Sequence, residues 1–233
     1  MCIRDRNTAT SANRTQAEDV NNAGFGARYS WVGLEDAKLG QLRLGRQEQS
    51  IHSVMVAGSA GAANNVTGAV YSAGLGNVST NDAGIRPHNV FVNRAVTYIS
   101  PRFNGFTVEA QTASQDLDTT GTAQALKAEE TGASLKYAAG KLAVAYGMAT
   151  TKSQTATVAD NVKAEQQAIA VSYDFGVARV FALNTERKNS GAASANGALQ
   201  NKTKATEVGV QVPVGKTMLW ASAFDAKRDG SNN

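Results

Sequence analysis

No stretch of this chain stays apolar for long. Its 233 residues contain nothing near the roughly 18 consecutive apolar residues of a membrane helix, so a helical span is excluded. A membrane-spanning strand is not excluded, because only every second residue of such a strand faces lipid. Cysteine occurs once, at Cys2, which rules out an internal disulfide and a cysteine-based zinc site. His52 and His88 lie far apart in loop-like stretches, and two imidazoles without a third clustered ligand do not hold zinc, so no metal is expected. Charged residues make up only 18%, and the net charge of +4 is mild. It weakly favours anionic partners. No basic helix or lysine-arginine cluster points to nucleic acid. No Gly-x-Ser-x-Gly element, phosphate-binding glycine loop or paired-carboxylate motif stands out, so no catalytic residue, no cofactor and no enzyme are expected.

The ends of the chain carry little information. Met1 to Arg6 is short and charged with no apolar core behind it, so it is not a secretory signal. It also fits poorly with the Asn/Thr/Ala-rich text that follows. We read 1–6 as a foreign leader and 7–233 as one domain, cut at both ends.

What is present is alternation. Phe106, Val108 and Ala110 alternate with Thr107, Glu109 and Gln111. Leu142, Val144, Tyr146 and Met148 alternate with Ala143, Ala145 and Gly147, and Ile169, Val171 and Tyr173 with Ala168, Ala170 and Ser172. This period of two marks strands. The pattern repeats ten times, in strands of about seven to eleven residues, near the length a tilted strand needs to cross a bilayer. Asn104-Gly105 is a strong hairpin signal. One strand, near 177–187, is irregular: Arg179 shares parity with Phe181 and Leu183. A snorkelling arginine or a bulge would reconcile it with an outward apolar face. Connections alternate short and long throughout. Loop lengths in a soluble sandwich have no reason to obey parity, whereas an outer-membrane barrel has a rim of turns and a rim of loops.

The expected fold is therefore all-β, a transmembrane antiparallel barrel. Tyr146, Ile169 and Trp220 are expected to face hydrocarbon. Glu109, Gln111, Lys136, Glu207 and Gln211 are expected to face a wet lumen, as general polarity rather than as a binding site. The segment 46–93 is nearly fifty residues, rich in Gly, Ala, Ser and Asn, between two strands. A structureless loop of that length is uncommon in a compact domain unless it is functional. We expect it to enter the lumen and narrow it.

Several stretches resemble the general porins of β-proteobacteria. Arg28-Tyr29-Ser30-Trp31-Val32-Gly33-Leu34 followed by Gly40-Gln41-Leu42-Arg43-Leu44-Gly45-Arg46-Gln47 is similar to that family's paired-strand signature. Gly84-Ile85-Arg86-Pro87-His88-Asn89, leading into Val96-Thr97-Tyr98-Ile99-Ser100-Pro101-Arg102-Phe103-Asn104-Gly105-Phe106, resembles the end of its constriction loop and the next hairpin. Tyr173-Asp174-Phe175-Gly176 and Val212-Pro213-Val214-Gly215 resemble its periplasmic turns. The resemblance implies a homotrimer of sixteen-stranded barrels in the bacterial outer membrane, surrounded by its lipid. This chain would supply about ten consecutive strands and the constriction loop. The implied function is passive diffusion of small hydrophilic solutes and ions.

Arg28 and Arg86 match positions where the family places channel-facing arginines, and Arg43 faces inward by parity. Guanidiniums stay charged at any workable pH, and in a narrow pore they attract anions. Between residues 50 and 85 the only acid is Asp82, so an anion preference, for inorganic and organic anions, is expected. Two other readings compete. An extracellular adhesin or autotransporter-like module would show internal repeats and no parity in loop length. An outer-membrane barrel enzyme would need a catalytic cluster at one rim.

Overall fold

The structure, a computed structural model, describes residues 29–61, 91–116, 125–155, 162–193, 197–198 and 201–229. The expected leader, residues 1–6, lies outside them. The strands are β1 (Ser30–Asp36), β2 (Gly40–Glu48), β3 (Phe91–Ile99), β4 (Phe106–Asp116), β5 (Ala125–Ala139), β6 (Leu142–Thr155), β7 (Val162–Asp174) and β8 (Arg179–Ala193), then the two-residue β9 (Gly197–Ala198), β10 (Asn201–Val214) and β11 (Thr217–Asp229). One helix, α1 (Ser50–Gly58), follows β2. The strands form one antiparallel meander in chain order, with β9 attached only to β8. Among the described residues β1 and β11 do not pair with each other, so the sheet is not closed.

Short turns and long connections alternate along the meander. Asn104 (φ 47) and Gly105 (φ 88) both occupy the left-handed region, as a two-residue turn matched to strand twist requires. Strands on the long-loop side run further than the alternation suggests. β5 to β8, β10 and β11 have 13 to 15 residues, not seven to eleven. Beyond the apolar band the ladder continues, with Asp116 opposite Lys127 and Thr151 opposite Ala164, because backbone pairing does not need an apolar face.

The two faces are inverted relative to a water-soluble sheet. Leu42, Val96, Tyr98, Val108, Leu135, Leu142, Tyr146, Met148, Ile169 and Tyr173 are exposed. Thr97, Glu109, Gln111, Ser134 and Ser172, one residue away on the same strands, are buried. We name the face that carries α1 the inner face. A continuous exposed apolar sheet face of this kind marks contact with a membrane or a partner. Its aromatics gather near the short turns. Phe106 packs on Tyr137 at 4.6 Å and Tyr173 on Phe175 at 4.7 Å, as a ring at a membrane interface does.

Two strands depart from the expected facing. Gln211 pairs with Trp220 and Glu207 with Phe224, so Trp220 and Phe224 lie on the inner face and Leu219, Ala221 and Ala223 on the outer. Trp220 is therefore not a hydrocarbon-facing residue. Its ring lies against Gly61, where a Cβ would approach within 2.9 Å. On β8 the register with β7 runs unbroken from Gly191 to Arg179, so there is no bulge. Arg179 does not snorkel outward: its Nη2 donates to Ser172 Oγ at 2.9 Å on the inner face, and its guanidinium lies 5.1 Å from the Phe181 ring centroid. Phe181 and Leu183 are buried beside it. The inner face is locally apolar because an apolar helix rests on it.

Candidate pore constriction

α1 has weak local reasons to be helical. Gln49 at its N-cap gives no side-chain cap, and its first turn holds no acid. What it has is Ile51, Val54 and Met55 at helical spacing, all buried. These pack into a seat made by Ala145, Ala149, Ala168, Ala170 and Leu183 of β6 to β8. Full burial of each large side chain stabilises by roughly 1.5–3 kcal/mol, which offsets the missing cap. The segment expected to be a structureless insertion thus begins with a helix on the inner wall.

The seat requires small residues. A Cβ on Gly147 would meet Val54 Cγ2 at 2.9 Å, and one on Gly209 would meet the Ala60 Cβ at 2.7 Å. A Cβ on Gly132 would collide with Ser50 Oγ. The alanines and glycines that alternate with large apolar residues on β6 and β7 therefore have a structural purpose: they let a helix approach the wall.

Polar side chains pin both ends of the segment. At its start, Gln111 Oε1 accepts from the Ser50 amide at 3.0 Å, while Gln111 Nε2 donates to Glu48 O at 2.8 Å and Thr97 Oγ1 at 2.9 Å. At its end, Ser59 Oγ donates to Glu207 Oε1 at 2.8 Å, and Gln211 Nε2 donates to Ala60 O at 2.6 Å. Gln111, Glu207 and Gln211 thus hold the loop to the wall; their sequence reading as general lumen polarity missed this. Glu48 accepts from the Tyr29 hydroxyl and lies 3.6 Å from His52 Nε2, one turn into the helix. Replacing Glu207 and Gln211 together by alanine removes both bonds at the end of α1. Each hydrogen bond contributes about 0.5–1.5 kcal/mol net, so we expect more open-channel current noise and faster proteolysis after residue 58, with the barrel intact. Unchanged noise and cleavage would show that apolar packing alone holds the loop.

Arg43 lies on the inner face, 4.7 Å above the Trp31 ring centroid, with its Nε donating to Gln41 Oε1 at 2.7 Å. Lys136 Nζ lies 3.5 Å from Glu109 Oε2 on the adjoining strands. Arg28 and Arg86 lie outside the described residues. The structure brings Arg43, Glu109, Gln111 and Lys136 to the inner face of β2 to β5, with Glu207 and Gln211 across α1 on β10. Sequence reasoning left Arg179 unplaced and missed the apolar seat. The Ile51/Val54/Met55 spacing, read beside Phe181 and Leu183, was the available signal.

A model of the family described as Gram-negative porin matches residues 7–233. The chain belongs to the Gram-negative porin family. It is an outer-membrane β-barrel protein, not a soluble sandwich. Among solved structures, the porin fold is shared with the anion-selective porin from Comamonas acidovorans at 23% identity and a TM-score of 0.64. That match covers 91% of this chain and 61% of the Comamonas chain. A loop-deletion mutant of OmpT, an outer-membrane protein of Vibrio cholerae, aligns at 10% identity with a TM-score of 0.52, covering 88% of this porin and 76% of that chain. None of the curated proteins compared matches the sequence. This porin thus spans about three fifths of the Comamonas chain.

Proposed function

We propose that this chain contributes the constricted wall of a water-filled channel for passive diffusion of small hydrophilic solutes and ions, with a preference for anions. The observation that carries the reading is the position of α1: a helix pinned to the polar face of a sheet whose other face is exposed and apolar. Transport then needs no chemistry. Selectivity comes from the width left beside α1 and from the field of the wall. Arg43 and Arg179 supply permanent positive charge at that wall. Arg28 and Arg86 join them in this proposal by family resemblance, and the anion selectivity of the Comamonas porin agrees with it. We further propose that residues 7–233 form part of one barrel domain, that 1–6 are foreign to it, and that the full-length protein is a homotrimer that acts on inorganic and organic anions without catalysis.

The test is the reversal potential across a planar bilayer in a salt gradient, using the full-length protein. Exchanging Arg28 and Arg86 together for glutamine is expected to lower the anion-to-cation permeability ratio severalfold. The same exchange at Arg43 and Arg179 is expected to lower it further. An unchanged reversal potential in all variants defeats the selectivity assignment, and absence of any conductance from the native protein defeats the channel.

A further inference from the structure

Two cations on the inner face of β2 to β5 have contrasting neighbours. Lys136 Nζ lies 3.5 Å from Glu109 Oε2. Seen from the lumen such a pair is nearly neutral, because opposite charges this close cancel each other's field at larger distance. Arg43 also has a carboxylate within reach. Glu35 stands on β1 two residues from Gly33, which is directly opposite Arg43. A diagonal cross-strand neighbour lies roughly 7–8 Å away, inside the span of a long side chain. A guanidinium and a carboxylate so placed readily close into a bidentate pair. Here they do not: the partners of the Arg43 guanidinium among the described residues are an amide and an indole.

The amide is Gln41, which sits between the two charges. Its Nε2 donates to Glu35 Oε2 at 3.2 Å, and its Oε1 accepts from Arg43 Nε at 2.7 Å. Gln41 thus serves the acid with its donor and the guanidinium with its acceptor, and carries no charge itself. A carboxylate at position 41 would neutralise Arg43. A methyl group there would leave Arg43 and Glu35 free to meet.

The indole is Trp31, whose ring centroid lies 4.7 Å from the Arg43 guanidinium. It reaches that place because residue 33 is glycine. A Cβ there would stand 3.0 Å from Trp31 Cζ3 and 3.4 Å from Cε3. The ring therefore lies along β1 over Gly33, and Arg43, opposite Gly33, rests against it. A guanidinium stacked on an indole is held in one plane and keeps its full charge.

We propose that Gln41 and Trp31 are positioning residues for anion selectivity. They hold the Arg43 guanidinium apart from Glu35, so that its charge stays unneutralised and its Nη groups, which have no partner among the described residues, remain open to passing anions. Neither residue is charged and neither has to touch the ion. The inference rests on the reading of the inner face as an anion-preferring channel wall, and refines it. The field of the wall depends on which arginines are kept from its acids, not on how many arginines it holds.

The experiment is the reversal potential of the full-length protein in planar bilayers across a potassium chloride gradient. Gln41→Ala and Trp31→Leu are each expected to lower the anion-to-cation permeability ratio at least about twofold, although neither alters the charge of the protein. Arg43→Gln sets the floor for that loss. Adding Glu35→Gln to Gln41→Ala is expected to restore most of the ratio. It should also change the ratio by more than Glu35→Gln does alone, because the acid reaches Arg43 once the amide is gone. Trp31→Phe keeps an aromatic face and is expected to recover most of what Trp31→Leu loses. Heat-modifiable gel mobility checks folding; if Gln41→Ala does not fold, the Trp31→Leu and Trp31→Phe pair decides. A native ratio in both Gln41→Ala and Trp31→Leu, or a Glu35→Gln effect of equal size with and without Gln41, overturns the proposal. The channel reading then stands, provided that Arg43→Gln still lowers the ratio. A native ratio in Arg43→Gln removes Arg43 from the selectivity assignment, and this inference with it.

Discussion

Replacing Met55 by aspartate is expected to detach α1 from the wall and to raise single-channel conductance well above that of the native pore. Met55 is buried in the seat formed with Ala145, Ala168 and Leu183. The buried residues clustered with Met55 are all apolar and offer a carboxylate no partner. Burying an unpaired charge costs several kcal/mol, more than the pins at Gln111, Glu207 and Gln211 return at about 0.5–1.5 kcal/mol each. The helix has no side-chain cap to hold its form once released. Met55→Leu conserves volume and is expected to leave conductance near native, since such swaps usually cost less than about 1.5 kcal/mol. Single-channel recording of the full-length protein in planar bilayers reads both. A Met55→Asp channel of native conductance means that α1 does not limit the pore.

The second large effect concerns the opposite face. Ile169→Arg is expected to destabilise the barrel by about 2–4 kcal/mol, the range for a basic residue placed at the bilayer midplane on a lipid-facing strand position. Ile169 is exposed on the outer face of β7, directly opposite Tyr146. Thr107→Arg, on the inner face of β4, is expected to cost less, about 0.2–1 kcal/mol, because it lies away from the lipid face and is opposed only by the like charge of its cross-strand neighbour Lys136. Urea unfolding in phospholipid vesicles, followed by gel mobility, measures the difference. Equal stability of the two variants would refute the assignment of the faces, since both arginines replace uncharged strand residues and the cross-strand charge of Lys136 already weighs against the Thr107 variant.

These two predictions separate what was legible from what was not. The faces of β4, β6 and β7 were readable, because lipid on one side and polar surroundings on the other impose a strict period of two. The faces of β8 and β11 were not. There the inner surface meets α1 and the residues just after it, and Leu183 against the helix and Trp220 against Gly61 obey those neighbours rather than the solvent rule. The same contact hid the function of Gln111, Glu207 and Gln211. Alternation places them on the inner face, but the atoms they bind belong to residues 61, 148 and 151 positions away. Strand ends were misjudged for a different reason. Beyond the apolar band both faces are polar, so periodicity vanishes although the backbone ladder continues.

Local pattern thus determined the ten main strands, the alternation of turns and loops, and which face of β4, β6 and β7 is greasy, because each depends on a residue and its immediate neighbours. Tertiary contact alone decided that 50–58 is a helix, that it rests on alanines and glycines, and which polar groups anchor it. That helix lacks the caps that signal one in sequence, and it exists through burial against strands about ninety to one hundred and thirty residues away in the chain, roughly the loop-closure distance that no local signal spans.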